Sequence, residues 1–560
     1  MSGLNRRRVL AGAAGALTAT GIAATAGTAG SKSAAAAEAG VASPPFDPVK
    51  IGPDDLRYPD LTRGMNQRWR SKPEHVRMAA TTDQVVGAVQ EAVNANKRVT
   101  VQGGGHCYAD FVHNPDVDVV INLSEMKNVH FDQQRSAFAV EAGATLLELY
   151  ETLFKIWGVT VPGGMCFSVG VGGHVSGGGY GLLSRKHGLV VDHLHAVEVV
   201  TVDASGKAKP VVATRDADDP NRDLWWAHTG GGGGNFGVIT RYWFRSPGAA
   251  GTDPGALLPR PPETLLVNAV SVSWSELDEA SFTRMVRNYG TWFANNSSPD
   301  AAGTSLSSFL MVNHKANGSA GLLTVVDGTD PDADALLRDY LSKLFDGTSV
   351  QTRPMSEPVG EMSPAPELYQ PMRLPWYRAA RLLGTNNPTL NDPTMRGEYK
   401  SGYLKNGFSD AQIATMYEQL TRSDHTNPAS IMVLLSYGGR INSVPRESTA
   451  SAQRDSAFKM LVESFWSDAA EDSANVDWCR ALYNGVFADS GGYPVPNSQT
   501  DGCYINYPDM DITDPTYNGS GIPWHELYYK QNYPELQRIK KKYDPNNFFR
   551  HSQSIGLPSA

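Results

Sequence analysis

GGGGNFGVITRYWF, residues 231–244, carries the spacing G-x-G-x-x-G at Gly232, Gly234 and Gly237. Whether it opens a helix or a strand decides the fold. A dinucleotide fingerprint of this form must lead into a helix, whose N-terminus then faces the pyrophosphate. Here the following residues, VITRYWF, are β-branched and aromatic, which reads as a strand. The doubly wound nucleotide-binding fold is therefore set aside. No Gly-Lys-Ser/Thr follows any glycine run, so the Walker loop is set aside too.

Two more glycine-rich stretches lie upstream, VQGGGHCY at 101–108 and VPGGMCFSVGVGGHVSGGGY at 161–180. Bare N–H groups let such loops close on an anion or a planar ligand, as a backbone nest does. One loop alone reads as a tight turn. Three of them (103–105, 163–179 and 230–234) within one predicted domain point to a ligand, with pyrophosphate the natural anion.

The flanking periodicity gives each loop a place. Thr81–Asn96 sets Val85, Val86, Val89, Ala92 and Val93 on one helical face behind a threonine cap, and Arg98–Gln102 follows as a strand. The order recurs: strand 137–140, helix 145–157, strand 159–161, then PGGMC. Strands at 196–202, 211–213 and 238–244 follow, and Gly248–Pro262 (GAAGTDPGALLPRPP) reads as a domain boundary. Beyond it, strands are expected at 265–274, 305–313, 321–326 and 430–437, and helices at 279–294, 332–345, 410–421 and 457–465. This is the pattern of an antiparallel sheet backed by helices on one face. The segment 525–549 reads as one helix closed by Asp544-Pro545, returning to the first domain.

At 560 residues two domains are the natural expectation. With 58 Asp+Glu against 49 Lys+Arg and no basic block beyond Lys540–Lys542, nucleic acid is excluded as a partner. The N-terminus, NRRRVLAGAAGALTATGIAATAGTAG, has the pattern of a twin-arginine export signal, so secretion is expected and residues 1–40 are left out of the fold. It is too rich in Gly, Ala and Thr for a stable membrane anchor. Such signals accompany proteins exported already folded, which directs attention to a cofactor. Cys107, Cys166, Cys479 and Cys503 would allow three pairings in an oxidising compartment, and the first two lie inside glycine loops, an odd place for structural bridges.

GGGHCYAD, PGGMCFSVGVGGHVSGGGYGLLSRKHGL, HTGGGGGNFGVIT and YYKQNYPELQRIKKKYDPNNFF, in that order, resemble the berberine bridge enzyme-like flavoprotein oxidases of the vanillyl-alcohol oxidase superfamily, and among them the bacterial antibiotic-tailoring oxidases. The resemblance runs from about Pro53 to the C-terminus. It implies an α+β fold: a two-subdomain FAD-binding domain (53–248), a substrate domain with an antiparallel sheet covered by helices (263–500), and a C-terminal segment (501–560) that returns to the first domain.

It also implies FAD bonded through His106 and Cys166. Neutral imidazole and thiolate are the side chains best suited to attack an electrophilic flavin position. If Cys166 is so used, Cys107 is a packed free thiol and Cys479 with Cys503 is the pair to test for a disulfide. Gly103, Gly104, Gly105, Gly163, Gly164, Gly170, Gly173, Gly178, Gly237, Val238, His174, Asn235 and Asn532 fall at positions that contact the cofactor in this family.

The implied reaction is oxidation of a bulky alcohol, with hydride passing to flavin N5 and dioxygen reoxidising the flavin to give hydrogen peroxide. A base must withdraw the hydroxyl proton. Tyr507 in GCYINYPD is the first candidate, Tyr180 the second and Tyr437 the third, with Tyr403 as a lining residue. A phenol of pKa ~10 needs lowering by ~2–3 units, about 3–4 kcal/mol, from cations or hydrogen-bond donors. Each tyrosine could instead be a satisfied core aromatic. An oligosaccharide oxidase is the second reading, with Trp274, Trp292 and Trp376 as sugar-stacking residues, and a non-catalytic carbohydrate-binding protein the third. His187, His193 and His195 show no metal spacing, and no metal is expected.

Overall fold

The computed structural model describes residues 45–384 and 392–559; the N-terminal segment read as an export signal lies outside them. Among the described residues, seventeen strands form three sheets. The first holds β1 (Val49–Ile51), β2 (His75–Met78), β3 (Val99–Gln102) and β4 (Val119–Asn122) in the order β1-β2-β4-β3. The second holds β5 (Val129–Asp132), β6 (Ala137–Glu141), β7 (Leu194–Val202), β8 (Ala208–Thr214) and β9 (Val238–Phe244) in the order β5-β6-β9-β7-β8. VITRYWF is indeed a strand, antiparallel to β6 and β7.

The helices begin where side chains can satisfy the first free N–H groups. Thr81 accepts from the Gln84 N–H ahead of the helix Thr82–Asn94, and Thr145 with Glu148 forms a capping box on Leu146–Trp157. After that second helix residues 159–161 form no strand, so the repeat expected there is incomplete.

The third sheet has eight strands: β10 (Thr264–Ser273), β11 (Leu306–Asn313), β12 (Ser319–Asp327), β13 (Thr352–Pro354), β14 (Met372–Pro375), β15 (Arg396–Leu404), β16 (Ser430–Ser436) and β17 (Phe458–Trp466). Its order is β13-β10-β12-β11-β16-β17-β15, with β14 also on β10, and every pairing is antiparallel. Residues 457–465, expected as a helix, are β17. A central strand buried on both faces reads as an unbroken apolar run, which periodicity cannot tell from a buried helix.

Helices Glu279–Asn295, Ala333–Phe345, Asp410–Thr421 and Asp472–Val486 pack together on one face of this sheet; the last was not foreseen. The other face looks toward the glycine loops. Buried Arg185 fixes the join, giving Nε to the Leu306 carbonyl at 2.8 Å and Nη2 to that of Asn296 at 2.8 Å. Arg454 adds a buried bidentate pair with Asp192 at 2.7 and 3.0 Å.

The C-terminal segment is two helices, Trp524–Tyr529 and Tyr533–Tyr543, because Lys530 is left-handed (φ 50°) and Pro534 opens the second. From the second, Lys540 reaches the Asn235 carbonyl at 2.6 Å. No helix among the described residues is long and apolar enough to cross a membrane.

Candidate active site

One elongated cavity of about 360 Å³ runs from Val99–Val101 and Phe111–His113, past all three glycine loops, to the open face of the third sheet. The loops meet backbone to backbone. A Cβ on Gly104 would stand 2.3 Å from the Gly170 nitrogen, and one on Gly170 would stand 2.4 Å from that of Gly104, so only glycine permits the approach. Asn235 holds the third loop from within, giving Nδ2 to the Gly231 carbonyl at 3.0 Å and accepting from the Ile555 N–H at 2.9 Å. His174 accepts from the Gly164 N–H at 3.2 Å.

Gly103, Gly104, Gly105, Gly164, Gly170, Gly173, Gly237, His174 and Asn235 all line the cavity. Gly163, Gly178, Val238 and Asn532 do not. Gly163 sits under the Tyr150 hydroxyl, Gly178 against Ser451, and Val238 is a core residue of β9. Asn532 is buried as a cap, its Nδ2 directed at the carbonyls of Arg446, Thr449 and Ala450.

His106 and Cys166 come together although 60 positions separate them. The His106 Nε2 lies 2.8 Å from the Ser168 hydroxyl and the Cys166 Sγ 3.8 Å from the same oxygen. Burial in the cavity wall draws the His106 imidazole down to about 4, so it is neutral at physiological pH. Cys107, its neighbour, is pushed up to about 11 by burial and lies against the Ala109 carbonyl at 3.3 Å. Such a thiol is inert. Cys479 and Cys503 are both free; Cys503 meets the Tyr483 hydroxyl at 3.4 Å.

The tyrosines cluster beneath the third sheet. The hydroxyls of Tyr180 and Tyr507 are 2.6 Å apart, the length of a strong O–H···O bond able to share one proton. Lys459, 1% exposed, sets its ammonium nitrogen 2.7 Å from the Tyr180 ring centre, 4.5 Å from Tyr504, 5.1 Å from Tyr437, 5.3 Å from Tyr403 and 5.7 Å from Tyr507. Among the described residues it has no hydrogen-bond partner.

Burial raises both Tyr180 and Tyr507 well above 10 and lowers Lys459 well below its usual value. The two tendencies offset each other when a phenolate forms beside the amine, since each charge then stabilises the other. Tyr437 stands behind Tyr180, off the main cavity, with its hydroxyl 3.3 Å from the Gln453 carbonyl. Sequence reasoning missed Lys459 because its segment was read as a helix, and missed Ser168, Tyr504 and Asn506 because no pattern marks them.

The roof is the open face of the third sheet. Phe309 and Met311 of β11, Val433 and Leu435 of β16, and Leu461 and Glu463 of β17 all line the cavity, each pair two residues apart, as the strand period requires. Trp274, Trp292 and Trp376 line none of it; all are core, Trp274 against Phe282, Trp292 against Tyr340 and Trp376 against Phe154.

FAD fits these residues. The cavity is long, its middle is bare glycine backbone, and buried polar atoms along it, Gln102 Oε1 and His113 Nε2, have no hydrogen-bond partner among the described residues. The acidic trio Glu398, Asp509 and Asp511 is already served by buried Lys400, 2.7 Å from both aspartates. His193 is used structurally, on Ser246 and the His187 carbonyl.

The FAD binding domain family matches residues 73–209, and the berberine and berberine-like family matches residues 503–556. The chain is similar to an aclacinomycin-N/aclacinomycin-A oxidase of Streptomyces galilaeus, 47% identical over 91% of this chain and 90% of that one. Its fold is similar to the crystal structure of a flavoenzyme involved in shunt product recycling in caerulomycin biosynthesis, with a TM-score of 0.87, 45% identity, and coverage of 92% and 100% of the two chains. A glycopeptide hexose oxidase complexed with teicoplanin gives a TM-score of 0.85 and 44% identity, covering 91% and 99%.

Proposed function

Because the chain belongs to the berberine bridge enzyme-like FAD-linked oxidases, and is therefore an FAD-dependent oxidoreductase, we propose that it oxidises an alcohol group of a bulky natural product or of its sugar. The observation that carries this reading is the Tyr180–Tyr507 hydroxyl pair at 2.6 Å beside Lys459, at the end of a glycine-lined cavity. FAD bound there supplies the hydride acceptor and, through dioxygen, the route to hydrogen peroxide.

The chain's own residues handle the proton and the position. Tyr507, the less buried of the two, faces the cavity and withdraws the substrate hydroxyl proton, while Tyr180 donates its hydrogen bond to the Tyr507 oxygen and spreads the charge. Lys459 balances that charge from the ring faces. His106 and Cys166, drawn together at Ser168, are the two tethers of the flavin, and the glycine loops bind its pyrophosphate. The apolar face of β11, β16 and β17 excludes water and receives the large substrate. Trp274, Trp292 and Trp376 lie in the core, so none of the three offers the oligosaccharide reading a stacking platform. Export through the twin-arginine pathway, carrying the folded flavoprotein, completes the proposal.

Peroxide release across glycosylated antibiotics and oligosaccharides, with the mass of each product, tests the reaction. Loss of two hydrogens from a natural-product glycoside is expected. Absence of peroxide with every alcohol would sink the reading. Acid-precipitated protein is expected to stay yellow, and a His106→Ala, Cys166→Ala variant is expected to lose its colour in the same step; retained colour in that variant would refute the two tethers.

A further inference from the structure

The cavity wall carries a second ionisable group of residues that the proposed chemistry does not use. Glu463 of β17 and Glu361, in the loop after β13, both line the cavity. Glu463 is 2% exposed. Among the described residues, neither carboxyl has a hydrogen-bond donor, lysine or arginine against it. Burial raises both above the usual carboxylate range, and the Glu361 charge raises Glu463 further.

A third polar group points the same way. Tyr399 is also 2% exposed, and its hydroxyl has no hydrogen-bond partner among the described residues. Tyr399 stands opposite Glu463 across the β15–β17 ladder and stacks on Tyr108, ring centres 3.7 Å apart. Tyr399 from β15 and Tyr108 from the first glycine loop lie within electrostatic reach of both carboxyls, and Tyr180 and Cys479 within reach of Glu463. None is a cation. Two carboxyls and a phenol in an apolar wall, with no positive charge supplied by the chain, are costly to bury.

We propose that Glu463 and Glu361 form a subsite for a protonated amino group of the substrate, as carried by an amino sugar or an alkylamine side chain. The inference rests on the cavity being the substrate site and adds the chemical class of one recognition element. An ammonium brings three N–H donors and one charge to two acceptors that lack both. A neutral hydroxyl would satisfy one acceptor and leave the charge uncompensated. With the cation in place the carboxylates are favoured, so the proton that burial holds on the pair leaves to solvent as the ligand binds.

Calorimetric titration of the flavin-loaded full-length protein under anaerobic conditions tests this, with cyclohexylammonium against cyclohexanol in two buffers of different ionisation enthalpy at pH 7. Binding of the ammonium at least about tenfold tighter than the alcohol is expected, with net proton release. Glu361→Gln with Glu463→Gln should abolish both the preference and the release. Equal affinity for the two probes, or a preference unchanged in the double variant, overturns the proposal. Should that variant fail to hold its flavin, the wild-type comparison of probes and proton count decides alone. The titration needs no turnover, so an enzyme that released no peroxide from any alcohol would lose the oxidase reading while its amine preference was still measured.

Discussion

The residues that matter most are those whose isolated chemistry is wrong for the task and is corrected by neighbours. Tyr507 as a buried phenol resists ionisation, and Lys459 as a buried amine resists protonation. Placed in one cage, each supplies the countercharge that the other lacks. Tyr507→Phe is expected to lower kcat by roughly 10²–10⁴-fold, the usual worth of a positioned base, while the protein stays yellow. Lys459→Met removes the charge that favours the phenolate, so the phenol pKa rises and the ascending limb of the kcat–pH profile moves about one unit or more to higher pH. A profile that does not move would show that the lysine only fills space. The sequence marked Tyr507 and Tyr180 through their motifs, but nothing local to Lys459 could mark it: its partners come from residues 180, 403, 437, 504 and 507.

At the scale of elements, the site depends on loops that approach more closely than side chains allow. Gly104→Ala would drive a methyl into the Gly170 backbone, and neither loop has a flexible side chain there that could yield. A cost of about 1–3 kcal/mol and loss of flavin are expected, read as a lower Tm and a lower ratio of flavin to protein absorbance; an alanine variant with full flavin content would show the contact to be dispensable. The long amphipathic helices were legible because period and cap are local: Thr81 announces a helix that the structure contains, and Thr145 and Ser409 cap two more that the period alone marks. Elements buried on all sides were not. FKMLVESFW lies in mid-sheet, where both faces are covered and no period survives to separate strand from helix. That one misreading concealed the roof of the site, since Lys459, Leu461 and Glu463 share a face only as alternate strand residues.

The whole molecule is sensitive to acid through histidines far from the chemistry. Burial holds His187, His228 and His425 near 4, below the ordinary value of about 6.5. Between those values the unfolded chain binds the protons and the folded chain does not, so stability is full above about pH 6.5 and falls toward pH 4. Each histidine contributes at most about 3 kcal/mol to this loss. Thermal denaturation of the holoprotein should show Tm constant above pH 7 and dropping steeply from pH 6.5 to 4.5; a Tm flat through that window would contradict the buried neutral imidazoles. The sequence alone determined the amphipathic helices, many of the strands, the three glycine loops, and the residue types able to hold a flavin and move a proton, because backbone conformation and side-chain chemistry are properties of short segments. Only the tertiary structure decided which of these meet. It put His106 and Cys166 on one serine, joined Tyr180 to Tyr507, sent Tyr437 and Asn532 behind the wall, and left Glu361 and Glu463 facing the cavity without a countercharge. Partnership between distant positions is set by sheet register and by the fit of one layer on another, and no single segment encodes either.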